Sequence, residues 1–471
     1  MKWGVLAVCA VILLLACQSS DTIMPYVKVV APGTYDTIPQ GRYLVKAIAT
    51  DASGIARVEF IIDGGLRGAD SSAVADTYTY NWNDSGYAIG SLHTIRAKAW
   101  DNAGNTNTST VYATIAGTDT GGSHHFGNIN SDVAWHAALS PHYVDADVYV
   151  DHNATLTIEP GCEIRFAPGT RLYCGFLSAG RIIARGRSDS VITFTSAAQT
   201  PVPGDWRGIT FYSLATTGCA LDYCTVGYTD TAGVTVDAAV LSMTNCRVRQ
   251  GAGYGVDCTP NGAFADFSNN VITACYRPLR ICCQNVGSIG AGDSLTGNGQ
   301  DVVEINGGYV SASATWPNLG APYLLNASVG IGGSAGPILT IQPGTIFKCL
   351  PDIAIRVGDP TSGGLIADGT TGGITFTSAV NPPGEGDWRG IEFLPQALDS
   401  FCKLKGCRVE YAGGNDSGDV VVVDALPEIR GDSIGYSQAW GIYLGGVSNP
   451  FKDTLLATNW FYVNTLGSVG P

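Results

Sequence analysis

The chain has 471 residues, a formal net charge of −14, 45% apolar residues, 14% charged residues and 61 glycines. This apolar content excludes a disordered chain, and the length exceeds one ordinary core, so several domains or a repeat array is expected. The acidic balance argues against nucleic acid or anionic lipid as the main partner.

The first elements in the chain are a single positive charge at Lys2, an apolar run from Val5 to Ala16, and then Cys17. The run has the form of a signal peptide and falls short of the roughly 20 residues of a membrane-spanning helix. Leu14-Leu15-Ala16-Cys17 resembles the lipobox of bacterial lipoproteins. The resemblance implies a signal peptide over 1–16, a lipidated tether over 17–25 with Cys17 as the acylated first mature residue, and membrane attachment through its acyl chains. Gln18 after the cysteine implies, by the same resemblance, an outer-membrane destination in the cell envelope.

Residues 26–117 read as a β-sandwich. Strands are expected at Tyr26–Val30, Tyr43–Ala49, Ala56–Ile62, Thr77–Trp82, His93–Trp100 and Ser109–Ile115, where apolar and polar residues alternate. Asp51-Ala52-Ser53-Gly54, Asp63-Gly64 and Asp101-Asn102-Ala103-Gly104-Asn105 supply turn chemistry between them. The segments Ala49–Gly64 and Ala99–Asn105 resemble bacterial immunoglobulin-like modules of surface proteins, without the Cys…Trp…Cys framework of antibody domains. A spacer role is expected of this module, and a linker over 118–129.

From about residue 130 the chain repeats itself. Leu156-Thr157-Ile158-Glu159-Pro160-Gly161 recurs as Leu339-Thr340-Ile341-Gln342-Pro343-Gly344, and Ile192–Ala197 returns unchanged at Ile374–Ala379. Gly204-Asp205-Trp206-Arg207-Gly208-Ile209 returns as Gly386-Asp387-Trp388-Arg389-Gly390-Ile391, with Trp135 and Trp316 ahead of the two copies. Two copies are thus expected, over 130–310 and 311–471. Within them Cys224, Cys246 and Asn270, and again Cys407 and Asp432, mark a shorter period of 22 to 25 residues. That period, carried by short strands, is the coil of a parallel β-helix. Stacked coils bury apolar side chains that one coil cannot, and Asn, Asp and Cys at one turn position can form a ladder. The blocks resemble right-handed parallel β-helix proteins of the pectin-lyase-like type over roughly 130–465. The fold class is therefore all-β: an Ig-like β-sandwich followed by a duplicated right-handed parallel β-helix.

Fourteen cysteines include Cys9 and Cys17, and none of the others forms the close CxxC pairs of zinc sites. They read as buried packing side chains, Cys224 above Cys246 included, with a disulfide as the alternative. The hydrolases of the resembled fold carry Asp-Asp, Gly-His-Gly and Arg-x-Lys motifs. The solenoid has none of these, since Arg96-Ala97-Lys98 lies in the first domain. Trp206-Arg207 and Trp388-Arg389 are candidate ligand contacts, a flat ring for a sugar beside a cation for an acidic group. Their duplication favours architecture, because a catalytic centre would occur once. His124, His125, His136, His142 and His152 gather near the first coils, and Asp63, Asp101 and Asn102 lie in turns, but neither set has a ligand spacing. No catalytic, cofactor or metal site is expected. The reading that follows is a lipid-anchored envelope protein binding a polysaccharide or another envelope component without catalysis; the alternative is a polysaccharide lyase or glycoside hydrolase.

Overall fold

The computed structural model describes residues 21–39, 42–84, 86–87, 91–116, 123–259, 261–414, 416–446 and 451–471; Cys17 lies outside them. The chain divides into two compact units, Met1–Thr118 and Asp119–Pro471.

In the first unit, Tyr26–Ala31, Arg42–Thr50 and Thr77–Asn83 form an antiparallel three-stranded sheet. Asp36–Pro39, Thr106–Ala116, Leu92–Asp101, Ile55–Ile62 and Gly65–Asp70 form a five-stranded one. Alternation places Val45, Ala47 and Ala49 of one sheet and Val58, Phe60, Ile62, Ile95, Ala97 and Ala99 of the other in a single core around Trp82. All six expected strands are present. Two edge strands are additional: Gly65–Asp70, whose glycines weaken the β signal, and Asp36–Pro39, which a proline ends.

The second unit is a parallel β-solenoid with one core running from Trp135 to Val469. Early coils carry three short strands each. Ala154–Ile158, Gly180–Arg185, Ala220–Asp222 and Val240–Thr244 stack on one face, and Glu163–Phe166, Ile192–Ser196, Cys224–Gly227 and Arg247–Arg249 on a second. The third face holds Leu172–Cys174, Ile209–Phe211, Ala232–Val236, Tyr254–Cys258 and Arg277–Cys282. The pairings between these coils are parallel, so backbone groups of buried strands are satisfied by the coil above or below. The expected linker already contributes a strand: Ser123–Ile129 pairs in parallel with His142–Val150, and Phe126 is buried. Among the described residues one short α-helix, Lys452–Thr458, and three 3-10 turns, Ala137–Leu139, Cys283–Ser288 and Asp399–Phe401, interrupt the all-β pattern.

Coils are not limited to the 22–25-residue period. Leu156 pairs with Ile182, and Ile183 with Ala220; in the second copy Leu339 pairs with Leu365, and Ile366 with Lys403. Each copy therefore has the same longer coils, because loops leave the stack between strands without disturbing register. The copies join one face out of phase. The third face of the first copy continues through Val303–Asn306 and Tyr323–Leu325 onto Ile346–Cys349. By sequence, Ile346–Cys349 repeats Glu163–Phe166, a strand of the second face.

The expected turn ladder is present. The Cys224, Cys246 and Cys407 thiols donate to Ala184, Leu221 and Ala367 carbonyls at 3.3–3.4 Å. The Asn270 and Asn459 amides donate to Met243 and Ile429 carbonyls at 3.0 and 3.2 Å. The cysteines of the described residues are free thiols, all but Cys282 buried.

Candidate functional site

The duplicated Trp-Arg blocks turn inward. Trp206 and Trp388 are fully buried, so neither ring has a face to offer a sugar, which corrects the expectation of stacking there. Trp206 lies flat on Phe166 with ring centroids 3.8 Å apart, and its Nε1 donates to the Gly227 carbonyl at 2.8 Å. Trp388 Nε1 makes the equivalent bond to the Glu410 carbonyl at 2.9 Å. The following glycine is required: at Gly208, with φ of 82°, a Cβ would lie 2.1 Å from the Ala232 carbonyl oxygen. The Arg207 and Arg389 amides donate to Thr170 and Ile353 carbonyls at 2.8 Å, which fixes both turns. Arg207 is exposed and Arg389 half-buried.

Arg207 lies beside a feature that sequence reasoning missed. Tyr149 and Tyr173 sit at paired positions of adjacent strands on the third face and point outward. Their rings stack at 4.7 Å and 7°. Tyr212 extends the stack, 6.2 Å from Tyr173, and the half-exposed Phe176 meets all three at 5.0–5.9 Å. Arg171 stands 5.7 Å from the Tyr173 ring, and its Nε donates to the Arg207 carbonyl at 3.1 Å. Burial and the Asp147 charge raise the Tyr173 hydroxyl pKa, opposed by the charges of Arg171 and Arg207. Tyr149 is pushed up to about 12 by burial and then by Asp147, so its hydroxyl stays protonated as a hydrogen-bond donor. The result is an aromatic platform fringed by two guanidinium groups and a carboxylate.

This platform is not duplicated. Strand register makes Gly330, Arg356 and Glu392 the counterparts of Tyr149, Tyr173 and Thr210. Arg356 pairs there with Glu392 at 3.0 Å and Asp359 at 3.8 Å, so the second copy has an ion-pair cluster where the first has stacked rings.

Further along the same face a charged cluster follows. Asp257, Arg280 and Glu304 are successive in register. Arg280 grips Asp257, and Arg277 grips Glu304, which also accepts from the Tyr254 hydroxyl at 2.7 Å and the Asn326 amide at 2.7 Å. Burial would raise the Glu304 pKa, but these donors and the Arg277 charge hold it below the usual carboxylate range. Glu304 is thus held as a paired anion, and Asp257 lies in an ion pair with Arg280.

The histidines form the start of the core. His125 Nε2 and His142 Nδ1 are 2.9 Å apart, with both rings stacked on Trp135, and His142 Nε2 meets the His136 carbonyl at 3.0 Å. His124 and His136 pair with Asp145 and Glu159 at 2.6 and 2.9 Å, while exposed His152 takes a left-handed turn position. Among the described residues, three potential metal ligands converge only at Asp21, Asp51 and Asp101, whose oxygens lie within 4.8 Å of one another. Asp63 binds the His93 ring at 2.7 Å, and Asn102 donates to the Ser53 carbonyl at 2.8 Å, so neither joins that group.

Residues 25–124 match the family described as Bacterial Ig domain, and residues 127–235 match that described as Pectate-lyase like beta helix domain. No curated protein matches the sequence. Among solved structures, the chain is similar to the fibronectin(III)-like modules of Clostridium thermocellum CbhA, at 26% identity and a TM-score of 0.19, covering 22% of this chain and 53% of that one. It is also similar to the endo-β-1,4-mannanase from Thermotoga petrophila, at 12% identity and a TM-score of 0.18, covering 21% of this chain and 22% of that one. The chain thus spans about half the length of the first and about a fifth of the second. The two family matches and the strand order agree: an N-terminal Ig-like domain precedes a pectate-lyase-like parallel β-helix.

Proposed function

We propose that this chain is a non-catalytic glycan-binding protein of the bacterial cell envelope, held there through Cys17 and using the Tyr149–Tyr173–Tyr212 platform as its main contact. The observation that carries the reading is that the platform occurs once. A feature needed to build coils recurs in both copies, as Trp206 and Trp388 do, whereas this one is replaced by an ion pair in the second copy. Stacked, half-exposed rings with a polar fringe suit the flat faces and hydroxyl groups of sugars, since aromatic side chains offer large contact area at small entropic cost. Arg171 and Arg207 favour a glycan bearing some acidic groups. Catalysis by a lyase or hydrolase needs a carboxyl or base free to exchange a proton with substrate. Asp257 and Glu304, further along the same face, are committed to arginines. Leu14-Leu15-Ala16-Cys17 supports the lipid anchor, and Gln18 the outer membrane as its site.

Affinity electrophoresis in gels containing polygalacturonate, xylan or glucomannan tests the reading. At least one polymer is expected to retard the full chain, and Tyr173→Ala to weaken that affinity roughly tenfold, the equivalent of about 1.4 kcal/mol. New reducing ends or unsaturated uronate absorbance during incubation with any of them would overturn the non-catalytic assignment in favour of the enzyme.

A further inference from the structure

We infer that the solenoid carries a second glycan contact at its last coils, placed so that one long polysaccharide chain engages both ends of a single sheet; this rests on the glycan-binding reading above. Trp460 and Tyr462 are two residues apart on the Trp460–Tyr462 strand and share its outer face. Trp460 is 65% exposed, the most open tryptophan of the solenoid, whereas Trp135, Trp206, Trp316 and Trp388 are all buried. In register beside it are Ser433 and Arg408. Tyr462 lies across Gly435, where a Cβ would approach the ring to 2.4 Å. Its hydroxyl donates to Glu410 at 2.8 Å, and Arg408 stands 3.6 Å from the same carboxylate. Tyr436 meets the Tyr462 ring edge-on at 5.2 Å and stacks on Tyr411 at 4.8 Å and 4°. An exposed indole, three arranged phenols and an Arg–Glu pair repeat the chemistry of the first platform.

The phase shift between copies places this patch on the first platform's sheet. From Leu172–Cys174 the hydrogen-bonded order runs unbroken to Trp460–Tyr462 in eleven strand steps. At a strand spacing of about 4.8 Å, the platforms stand about 50 Å apart along the stack. Between them the register positions run Thr210, Thr235, Asp257, Arg280, Glu304, Leu324, Lys348 and Thr377, polar or charged except Leu324, with Thr210, Glu304 and Leu324 buried. A tetrasaccharide is far too short to touch both ends. A long polymer touches both and gains from the second contact being intramolecular, which raises apparent affinity without any new chemistry.

The test compares wild type, Tyr173→Ala and Trp460→Ala as full chains, using polygalacturonate, xylan and glucomannan as polymers in affinity electrophoresis and as tetrasaccharides in calorimetry. Trp460→Ala is expected to lower affinity for the retarding polymer about tenfold or more, to leave binding of its tetrasaccharide at the first platform within twofold, and to melt at the wild-type temperature. Unchanged polymer affinity in Trp460→Ala, with loss in Tyr173→Ala, would overturn the second contact while sparing the glycan-binding reading. Equal losses for polymer and tetrasaccharide in Trp460→Ala would overturn the two-ended arrangement. Wild-type chain retarded by no polymer would overturn the glycan-binding reading itself.

Discussion

Asp432 occupies the turn-ladder position that Asn270 and Asn459 fill on other coils. Its Oδ1 accepts the Cys407 amide at 2.7 Å, its own amide donates to Asn459 at 3.0 Å, and the side chain is fully buried. Burial pushes its carboxyl up to about 8, against the two backbone hydrogen bonds that oppose the shift. An asparagine there would donate its amide to the coil below; a carboxyl can do so only when protonated. Because the folded-state pKa lies above the unfolded value of about 3.9, the unfolded chain binds fewer protons between those limits. Stability attributable to this group is therefore fully present below about pH 4 and falls as pH rises to about 8. Asp432→Asn should remove that dependence. Melting curves should show the variant gaining on wild type steadily from pH 5 to pH 8, by a few kcal/mol at the upper end. A constant difference across that range would mean that Asp432 titrates normally.

At the scale of elements, the first coil is held by an imidazole pair instead of an aliphatic one. Burial lowers His125 to about 3, with further lowering from the His142 and His124 charges, and lowers His142 as well. Around them stand His136 with Glu159, His124 with Asp145, and the Cys162 thiol, 3.9 Å from His142. His142 is buried and His125 partly so, both held neutral, so the stability they contribute is present above about pH 6.5 and lost as pH falls from there toward His125's folded value. Hydrogen–deuterium exchange at about pH 4.5 should therefore show His142–Val150 opening ahead of its second-copy counterparts, Tyr323–Leu325 and Val329–Ile331, which contain no histidine. Equal protection of the two would sink the prediction. Much of this architecture was legible in the sequence: alternation in the first domain, the duplicated blocks, and the Cys/Asn turn position all lie at readable spacings. The tyrosine platform was not. Tyr149 and Tyr173 are 24 residues apart, but the next strand lies a 37-residue step beyond Tyr173, so a constant period scatters the rings that stacking unites. The Trp-Arg blocks were legible for the opposite reason: they recur conspicuously because both copies need a large ring inside the core, as their duplication implied.

At the scale of the molecule, attachment and binding are separable. No helix among the described residues is long and apolar enough to cross a membrane. In the proposed arrangement membrane retention rests on Cys17. Cys17→Ser should abolish incorporation of labelled palmitate and move the chain to the soluble fraction, while affinity for the retarding polymer stays as in wild type; continued sedimentation with membranes would refute the anchor. The one-face offset between the copies has a further consequence. A duplicated segment containing a whole number of turns would set equivalent surface positions directly above one another. This segment does not, so copying it acts as a screw operation of one third of a turn. The core is indifferent to that rotation, since any face accepts Ile, Val or Phe from the next. The surface is not: inherited side chains are presented in a new direction, and a third copy and a fourth would be needed before the original orientation came round again. Duplication of this kind gives a binding protein fresh surface without asking the interior to change.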